Sequence, residues 1–257
     1  MCKSCRKQFS PKTGTIFQDS AIGLDKWLTA LWLIATANNG VSSHELSRSL
    51  GVTQKTAWLM SHRVRLAMES GTFNKLSRTV EADEALVAGK ASNMHRDLRK
   101  RKTTGTGGKN KTIVVRLRER NGKIIATVSE TRKRKPLRAF VKDNVEPGSA
   151  LYTDALKSYE GLRRFYKHEV IDHPEMYVFP DVHTNGMKNL WCFLKRSLKG
   201  TYIKVDPFHL FRYVNEHTLR YNQRHAVDSG RFRSVVRNTC GRRLTFAEVT
   251  GKVGTVK

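Results

Sequence analysis

This chain of 257 residues is short of acid: 22 Asp plus Glu stand against 48 Lys plus Arg, a net charge of +26. That balance excludes an acidic interaction tail. Cysteine is scarce too, and the four residues, Cys2, Cys5, Cys192 and Cys240, are too unevenly placed for a disulfide scaffold. Long hydrophobic runs are missing. The longest mostly apolar stretch, Trp27 to Ala37, holds eleven residues and includes Thr29 and Thr36, too short to cross a bilayer. No charged-then-apolar leader opens the chain, so a cytoplasmic protein is expected. At 39% hydrophobic residues the chain is not a disordered polycation. Its length allows one large domain with a small appendage, or two. The surplus of base asks for a polyanionic partner, and nucleic acid fits, because Lys and Arg neutralise its phosphates. A ribosome-like or merely soluble basic protein is the plainer alternative.

Cys2 and Cys5 form a CxxC, half of a tetrahedral Zn²⁺ site. Two free thiols on a frayed terminus are the other reading. Leu24, Trp27, Leu28, Leu31, Trp32 and Ala35 then recur at helical spacing, ended by Asn38-Asn39-Gly40. Ser42 with Glu45 starts a short helix that carries Leu46 and Leu50 and stops at Gly51. Thr53 caps a third helix through Ala57, Trp58, Met60, Val64 and Ala67. Helix, glycine turn, helix is the pattern of a helix-turn-helix. Gln54, Lys55 and Thr56 occupy the first turn, where such helices meet base edges, and Arg63 and Arg65 are candidates to hold phosphates. An ordinary three-helix core with a basic face is the alternative. The apolar-face spacing puts Trp27, Trp32 and Trp58 in the core.

From residue 76 the period changes to that of strands. Ser77 to Val87, Thr112 to Arg118 and Lys123 to Ser129 read as strands, the last two joined by the hairpin dipeptide Asn121-Gly122. Residues 90–111 read as a basic, glycine-containing loop, and Arg132 to Lys135 is a second basic cluster. Pro136 is expected to open a helix through Leu137, Phe140 and Val141. A short strand, Ala150 to Thr153, ends in Asp154; residues 155–161 fit a helix, and His168 to Ile171 another strand. His183-Thr184-Asn185 precedes a helix through Trp191 and Leu194, with Cys192 read as a small core residue. A last amphipathic helix runs from Pro207 to Asn222. This order predicts an α/β fold with a mixed sheet.

Asp83 lies within one strand and Asp154 directly follows another. Carboxylates from separate elements, in a basic protein, fit a divalent metal held for phosphoryl chemistry. A surface carboxylate at 83 and a helix cap at 154 satisfy the pattern equally well.

The stretches Cys2-Lys3-Ser4-Cys5-Arg6-Lys7-Gln8-Phe9-Ser10, Thr13-Gly14-Thr15-Ile16-Phe17, Leu50-Gly51-Val52-Thr53-Gln54-Lys55-Thr56-Ala57-Trp58, Tyr152-Thr153-Asp154 and His183-Thr184-Asn185 share one resemblance. Trp191-Cys192-Phe193-Leu194-Lys195-Arg196, Gly200-Thr201-Tyr202 and Arg220-Tyr221-Asn222-Gln223-Arg224 continue it. Together they resemble the bacterial insertion-sequence transposases of the DDE class, in the ISXO-type branch, over nearly the whole chain and in order. The resemblance implies a partial zinc ribbon over residues 1–20, a helix-turn-helix region over 21–70, an RNase H-like transposase domain over 76–225 and a basic tail over 226–257. It implies DNA cleavage and strand transfer at the ends of an insertion sequence, double-stranded DNA as partner, assembly as a homo-oligomer on that DNA, and a bacterial, nucleoid-associated location. It implies a two-ion Mg²⁺ site with Asp83 and Asp154 as the first two acidic ligands.

The chain departs from the family at the third ligand. The glutamate three residues after the asparagine of His-Thr-Asn is Lys188, which has donors and no acceptor. At about 4 Å and an effective dielectric near 20, an ammonium beside each carboxylate is worth roughly 4 kcal/mol before desolvation and competes with a metal. Asn185 shares a helical face with Lys188, and its amide oxygen is a candidate ligand. Lys195 matches the family lysine expected at DNA phosphate, with Arg196 beside it. The usual glycines and aromatic after the first acid are replaced by Ala85-Leu86-Val87-Ala88-Gly89, and a common histidine by Ile203. Two functions follow: a DDE-type transposase homologue impaired at Lys188, or a DNA-binding remnant without catalysis. A basic RNA-binding protein is a third class.

Overall fold

In the computed structural model the described residues are 1–4, 6, 8–69, 74–87, 95–97, 100, 111–154, 157–171 and 185–252. They form two compact units, Met1–Ser70 with Gln223–Lys257, and Gly71–Asn222. Among the described residues no helix is long and apolar enough to cross a membrane.

The first unit is helical. Helix α1 (Leu24–Thr36) buries Trp27, Ala30, Leu31, Ile34 and Ala35, the stripe expected of an amphipathic helix. Helix α2 (Ser43–Leu50) starts where the Ser42 hydroxyl accepts the Glu45 amide. It ends at Gly51, whose φ of 60° places it in the left-handed region that glycine occupies without steric cost. Helix α3 (Gln54–Ala67) starts where the Thr53 hydroxyl accepts the Thr56 amide. Trp27 is buried as expected, but Trp32 is 41% exposed and meets Phe232 edge-on at 5.6 Å. Trp58 is half-buried against His62, with ring centroids 4.5 Å apart.

The second unit is a sheet between helices. Its strands are β1 (Thr79–Val87), β2 (Thr112–Glu119), β3 (Ile124–Ser129), β4 (Ala150–Asp154) and β5 (Lys167–Ile171). Their order is β3-β2-β1-β4-β5. β1–β2 and β2–β3 are antiparallel, and β1–β4 and β4–β5 are parallel. A three-stranded meander followed by two parallel strands beside the first is the RNase H-like arrangement. β2 lies between β3 and β1 and sends side chains into the core on both faces, so it reads as a nearly continuous apolar run. Asn121, at φ 58°, makes the β2–β3 turn.

Helix α4 (Arg134–Asn144) covers one face of the sheet with Leu137 and Val141, joined by Tyr159, Leu162 and Tyr166. Helices α5 (Asn185–Arg196) and α6 (Leu210–Asn222) cover the other with Met187, Leu190, Trp191, Leu194, Leu210, Tyr213 and Val214. Pro136 sits inside the first turn of α4 and does not open it, which costs nothing because that amide has no intrahelical partner. The helix expected over residues 155–161 is two short 3₁₀ turns, Lys157–Tyr159 and Leu162–Arg164, separated at Gly161 with φ 81°; residues 155 and 156 lie outside the described set. Cys192 is exposed on α5, one position past the buried stripe, so it is not the core residue expected.

Residues 223–257 group with residues 1–70. Two further helices, α7 (Asp228–Arg237) and α8 (Phe246–Val249), stand where a basic tail was expected. Val235 of α7 is buried, and Phe232 meets Trp32 of α1.

Candidate active site

The parallel pairing of β1 with β4 runs Val80 with Leu151, Glu81 with Tyr152 and Ala82 with Thr153. Asp83 and Asp154 are therefore each one residue beyond the last pair: Asp154 ends β4, and Asp83 stands midway along β1, where its pairing with β4 stops. Side chains at matching positions of a parallel pair share a face, and adjacent strands lie about 4.8 Å apart. The fold thus gathers two carboxylates that are 71 positions apart in the sequence. Val80 and Ala82 point into the core beneath α4, so Asp83 points to the opposite face, beneath α5.

Helix α5 reaches that carboxylate. The Trp191 indole Nε1 donates to Asp83 Oδ2 at 2.7 Å, and the Glu84 amide donates to Asp83 Oδ1 at 2.8 Å. Both oxygens of Asp83 are thereby fixed. The ring of Trp191 lies against the guanidinium of Arg116, 4.5 Å from its centroid. Arg116 is opposite Asp83 on β2 and is fully buried. Its Nη1 donates to the Leu190 carbonyl at 2.9 Å and its Nη2 faces His217 Nδ1 at 3.2 Å. Its Nε has no hydrogen-bond partner among the described residues. Burial lowers the Arg116 pKa to about 9. Nothing in its sequence neighbourhood marks Arg116 except its place inside Ile-Val-Val-Arg-Leu, an arginine in the middle of an apolar strand. Trp191 lies in a motif stretch but carries no expected role there.

The other acids of Glu81-Ala82-Asp83-Glu84 do different work. Glu81 is fully buried and salt-bridged to Arg118 at 3.1 Å and Arg120 at 3.0 Å, a structural arrangement. Glu84 turns toward the α4 face. The Tyr159 hydroxyl donates to its Oε2 at 3.0 Å, and Arg132 Nε stands 3.9 Å from its Oε1. Burial pushes the Glu84 pKa up against the opposing Tyr159 bond, and the charges of Asp83 and Asp154 push it the same way as burial. Burial and Glu84 together hold the Tyr159 pKa well above its ordinary value. Beside Asp154, the Thr153 hydroxyl is 2.8 Å from His168 Nε2. His168 is buried, and burial followed by the charge of Arg163 lowers its pKa.

Lys188 is exposed on the first half of α5, between the buried Met187 and Leu190. At Gly186 the helix backs onto β2: a Cβ there would lie 1.4 Å from Arg118 Nη1, so a larger residue would displace the Arg118 guanidinium from its place beside Glu81. The side chain of Asn185, and His183 with Thr184, lie outside the described residues. Two carboxylates from two strands fit a magnesium ion whose other coordination positions are taken by water and phosphate oxygens. Lys188 adds no acceptor. Among the described residues no group of three or more His, Cys, Asp or Glu that could hold a metal occurs. Of the expected zinc half-site, Cys2 is half-buried and unbonded to another cysteine, and Cys5 lies outside the described residues.

The residues expected at DNA fare unequally. Gln54 and Lys55 are exposed on the first turn of α3. The Gln54 amide donates to Ser43 Oγ at 2.8 Å, and Lys55 Nζ lies 5.1 Å from the Phe246 ring centroid. Thr56 gives its amide to the Thr53 cap. Arg63 does not stand where a phosphate can reach it. It is 6% exposed, its Nε donates to the Leu244 carbonyl at 2.8 Å, and its Nη1 donates to the carbonyls of Gln18 at 2.8 Å and Ile16 at 3.2 Å. Arg65 is buried as well. The second half of α3 is buried all round, from Met60 to Arg65, so both arginines are covered although they point to different sides of the helix. Lys195 and Arg196 are exposed in the last turn of α5, with Arg196 5.7 Å from the Phe193 ring centroid.

Comparison with known proteins adds three findings. A family model described as an ISXO2-like transposase domain matches residues 75–222. An uncharacterized protein in the transposable element ISH50 of Halobacterium salinarum is 27% identical over 210 residues, covering 77% of this chain and 70% of that protein. A chain in the crystal structure of the Mos1 strand transfer complex aligns over 82% of this chain and 78% of its own length, at 13% identity and a TM-score of 0.22.

Proposed function

Because the chain belongs to the ISXO2-like transposase family, we propose that it acts on DNA by DDE-type chemistry. It cuts phosphodiester bonds at the ends of an insertion sequence and joins the freed 3′ hydroxyls to a target. The observation that carries this is the placement of Asp83, within β1, beside Asp154, at the end of β4, each one step past the paired Ala82 and Thr153. DDE transposases in general use divalent metal ions. Here Asp83 and Asp154 would hold magnesium, with the Asn185 amide a further candidate; bound there, the metal activates the attacking oxygen and stabilises the leaving one.

The chain's own groups prepare the site. Trp191 fixes the Asp83 carboxylate, and the buried Arg116 supports the indole from behind. Glu84 is held on the far face of β1 by Tyr159. Gln54, Lys55 and Thr56 read DNA from α3, and Lys195 and Arg196 take phosphates beside the site. The chain assembles as a homo-oligomer on paired ends. Lys188 puts a cation where the family pattern has its third carboxylate, and it weakens both metal binding and catalysis.

The test is nicking of supercoiled plasmid in Mg²⁺ or Mn²⁺. Lys188→Glu is expected to nick at least about tenfold faster than the natural chain, the factor that roughly 1.4 kcal/mol of barrier supplies. Adding Asp83→Asn abolishes that nicking. A Lys188→Glu protein no faster than the natural chain sinks the proposal, as does a double variant that still cuts.

A further inference from the structure

The basic cluster Arg132 to Lys135 has no part in the site described above. In the fold it leads into α4, on the face of the sheet opposite α5. Leu137 and Val141 face the core, and the rest of the helix presents a groove of about 410 Å³ lined by Arg134, Lys135, Arg138, Ala139 and Lys142. Arg134, Arg138 and Lys142 recur every four residues and form one stripe.

The stripe is unfavourable for the helix by itself. Like charges at this spacing repel, by a few tenths of a kcal/mol per pair. The first turn carries no acid, and Lys133, Arg134 and Lys135 crowd the helix end where the macrodipole disfavours cations. One exposed carboxylate, Glu160, meets the groove, 2.7 Å from Arg134. The remaining cations are braced by the neighbouring turn. Lys142 Nζ lies 3.9 Å from the Phe165 ring centroid. Arg138 crosses Gly161, where a Cβ would come within 2.5 Å of its Nη2, and its Nε is buried without a partner among the described residues. Eight residues of helix rise about 12 Å. On one DNA strand, at about 3.4 Å per phosphate, that spans three to four nucleotides.

We propose that this groove is a second binding track for the backbone of duplex DNA, on the opposite side of the sheet from Lys195 and Arg196. It holds a DNA segment other than the one being cut. The inference rests on the reading that the chain acts on DNA. The track grips phosphates and does not read sequence, because its groups are cations with no acceptor for a base edge.

Binding of the full chain to a short random-sequence duplex, followed by fluorescence anisotropy without divalent metal, tests it. Salt is varied from about 50 to about 200 mM. The double variant Arg138→Gln/Lys142→Gln should lower the slope of log K against log salt by about two, since each phosphate contact contributes roughly 0.9. It should weaken binding equally for every duplex sequence. Glu160→Gln, which removes the groove's carboxylate, should strengthen binding. An unchanged slope overturns the proposal, as does a loss seen only with structured RNA. If the natural chain binds no duplex at all, the functional reading falls with it; an unchanged slope in a chain that does bind sinks the α4 track alone.

Discussion

At the scale of single residues, the site turns on which oxygen of Asp83 is held and by what. Trp191 donates to Oδ2 from another element, so the candidate metal ligand is oriented by a group that cannot itself bind a metal. Trp191→Phe keeps most of the ring against Arg116 and removes only the N–H. It should weaken Mn²⁺ binding, read by electron paramagnetic resonance, roughly tenfold to a hundredfold, the range for loss of such a supporting bond. Equal affinity in the two proteins would show that the indole only fills space. Asp83 and Asp154 were legible in the sequence because strands announce themselves by period, and one acid lies within a strand while the other directly follows one. The role of Trp191 was not, because its hydrogen bond joins residues 108 positions apart and no local pattern encodes that meeting.

At the scale of elements, helix ends were the most legible features. Thr53, Ser42 and Gly51 each act within three or four residues of themselves, so spacing alone places them. The faces of the helices were less so. Arg63 was expected to hold phosphate, and instead ties α3 to the segments around Ile16, Gln18 and Leu244. Burial lowers its pKa, with the nearby Asp19 opposing that shift. Arg63→Gln leaves buried carbonyls without donors and should cost about 1–3 kcal/mol in urea unfolding, several carbonyls sharing one lost side chain. DNA affinity measured on the folded fraction should not change. A variant as stable as the natural chain but weak on DNA would return Arg63 to the phosphate-binding set. Trp32 illustrates the same limit: the apolar stripe of α1 is wider than the surface available to cover it, and its outer edge stays exposed.

At the scale of the molecule, the strong net positive charge and the buried basic groups make stability depend on pH. His217 lies among Arg116, Arg220 and Glu216. Its Nδ1 faces Arg116 Nη2, which can only donate, so the ring accepts there and is neutral in the fold. Burial, then the charges of Arg116 and Arg220, lower its pKa from 6.5 to about 3. A depressed pKa means that the unfolded chain binds the proton first. The stability is full above pH 6.5 and is lost as pH falls from 6.5 toward 3. Glu84, with a raised pKa, acts in the opposite sense: its contribution is full at low pH and lost as pH rises through its folded value. His217→Gln keeps an acceptor for Arg116 and does not titrate. The natural chain should therefore lose stability relative to this variant by up to about 1.4 kcal/mol per pH unit across the window. Parallel pH profiles for the two proteins would rule out His217 as the source.

Local physics is what the sequence settled alone. The switch of hydrophobic period near residue 76, the caps at Ser42 and Thr53, the hairpin at Asn121-Gly122 and the acids on two strands each depend on neighbours a few positions away. The lysine at 188 is also a fact of sequence. Tertiary structure decided what meets across the chain. It put Trp191 on Asp83, stacked Arg116 beneath that indole, turned Arg63 inward, and grouped residues 223–257 with residues 1–70. Those contacts depend on which face of each element is covered. Side-chain packing between distant segments sets that coverage, and neither helical nor strand period carries information about it.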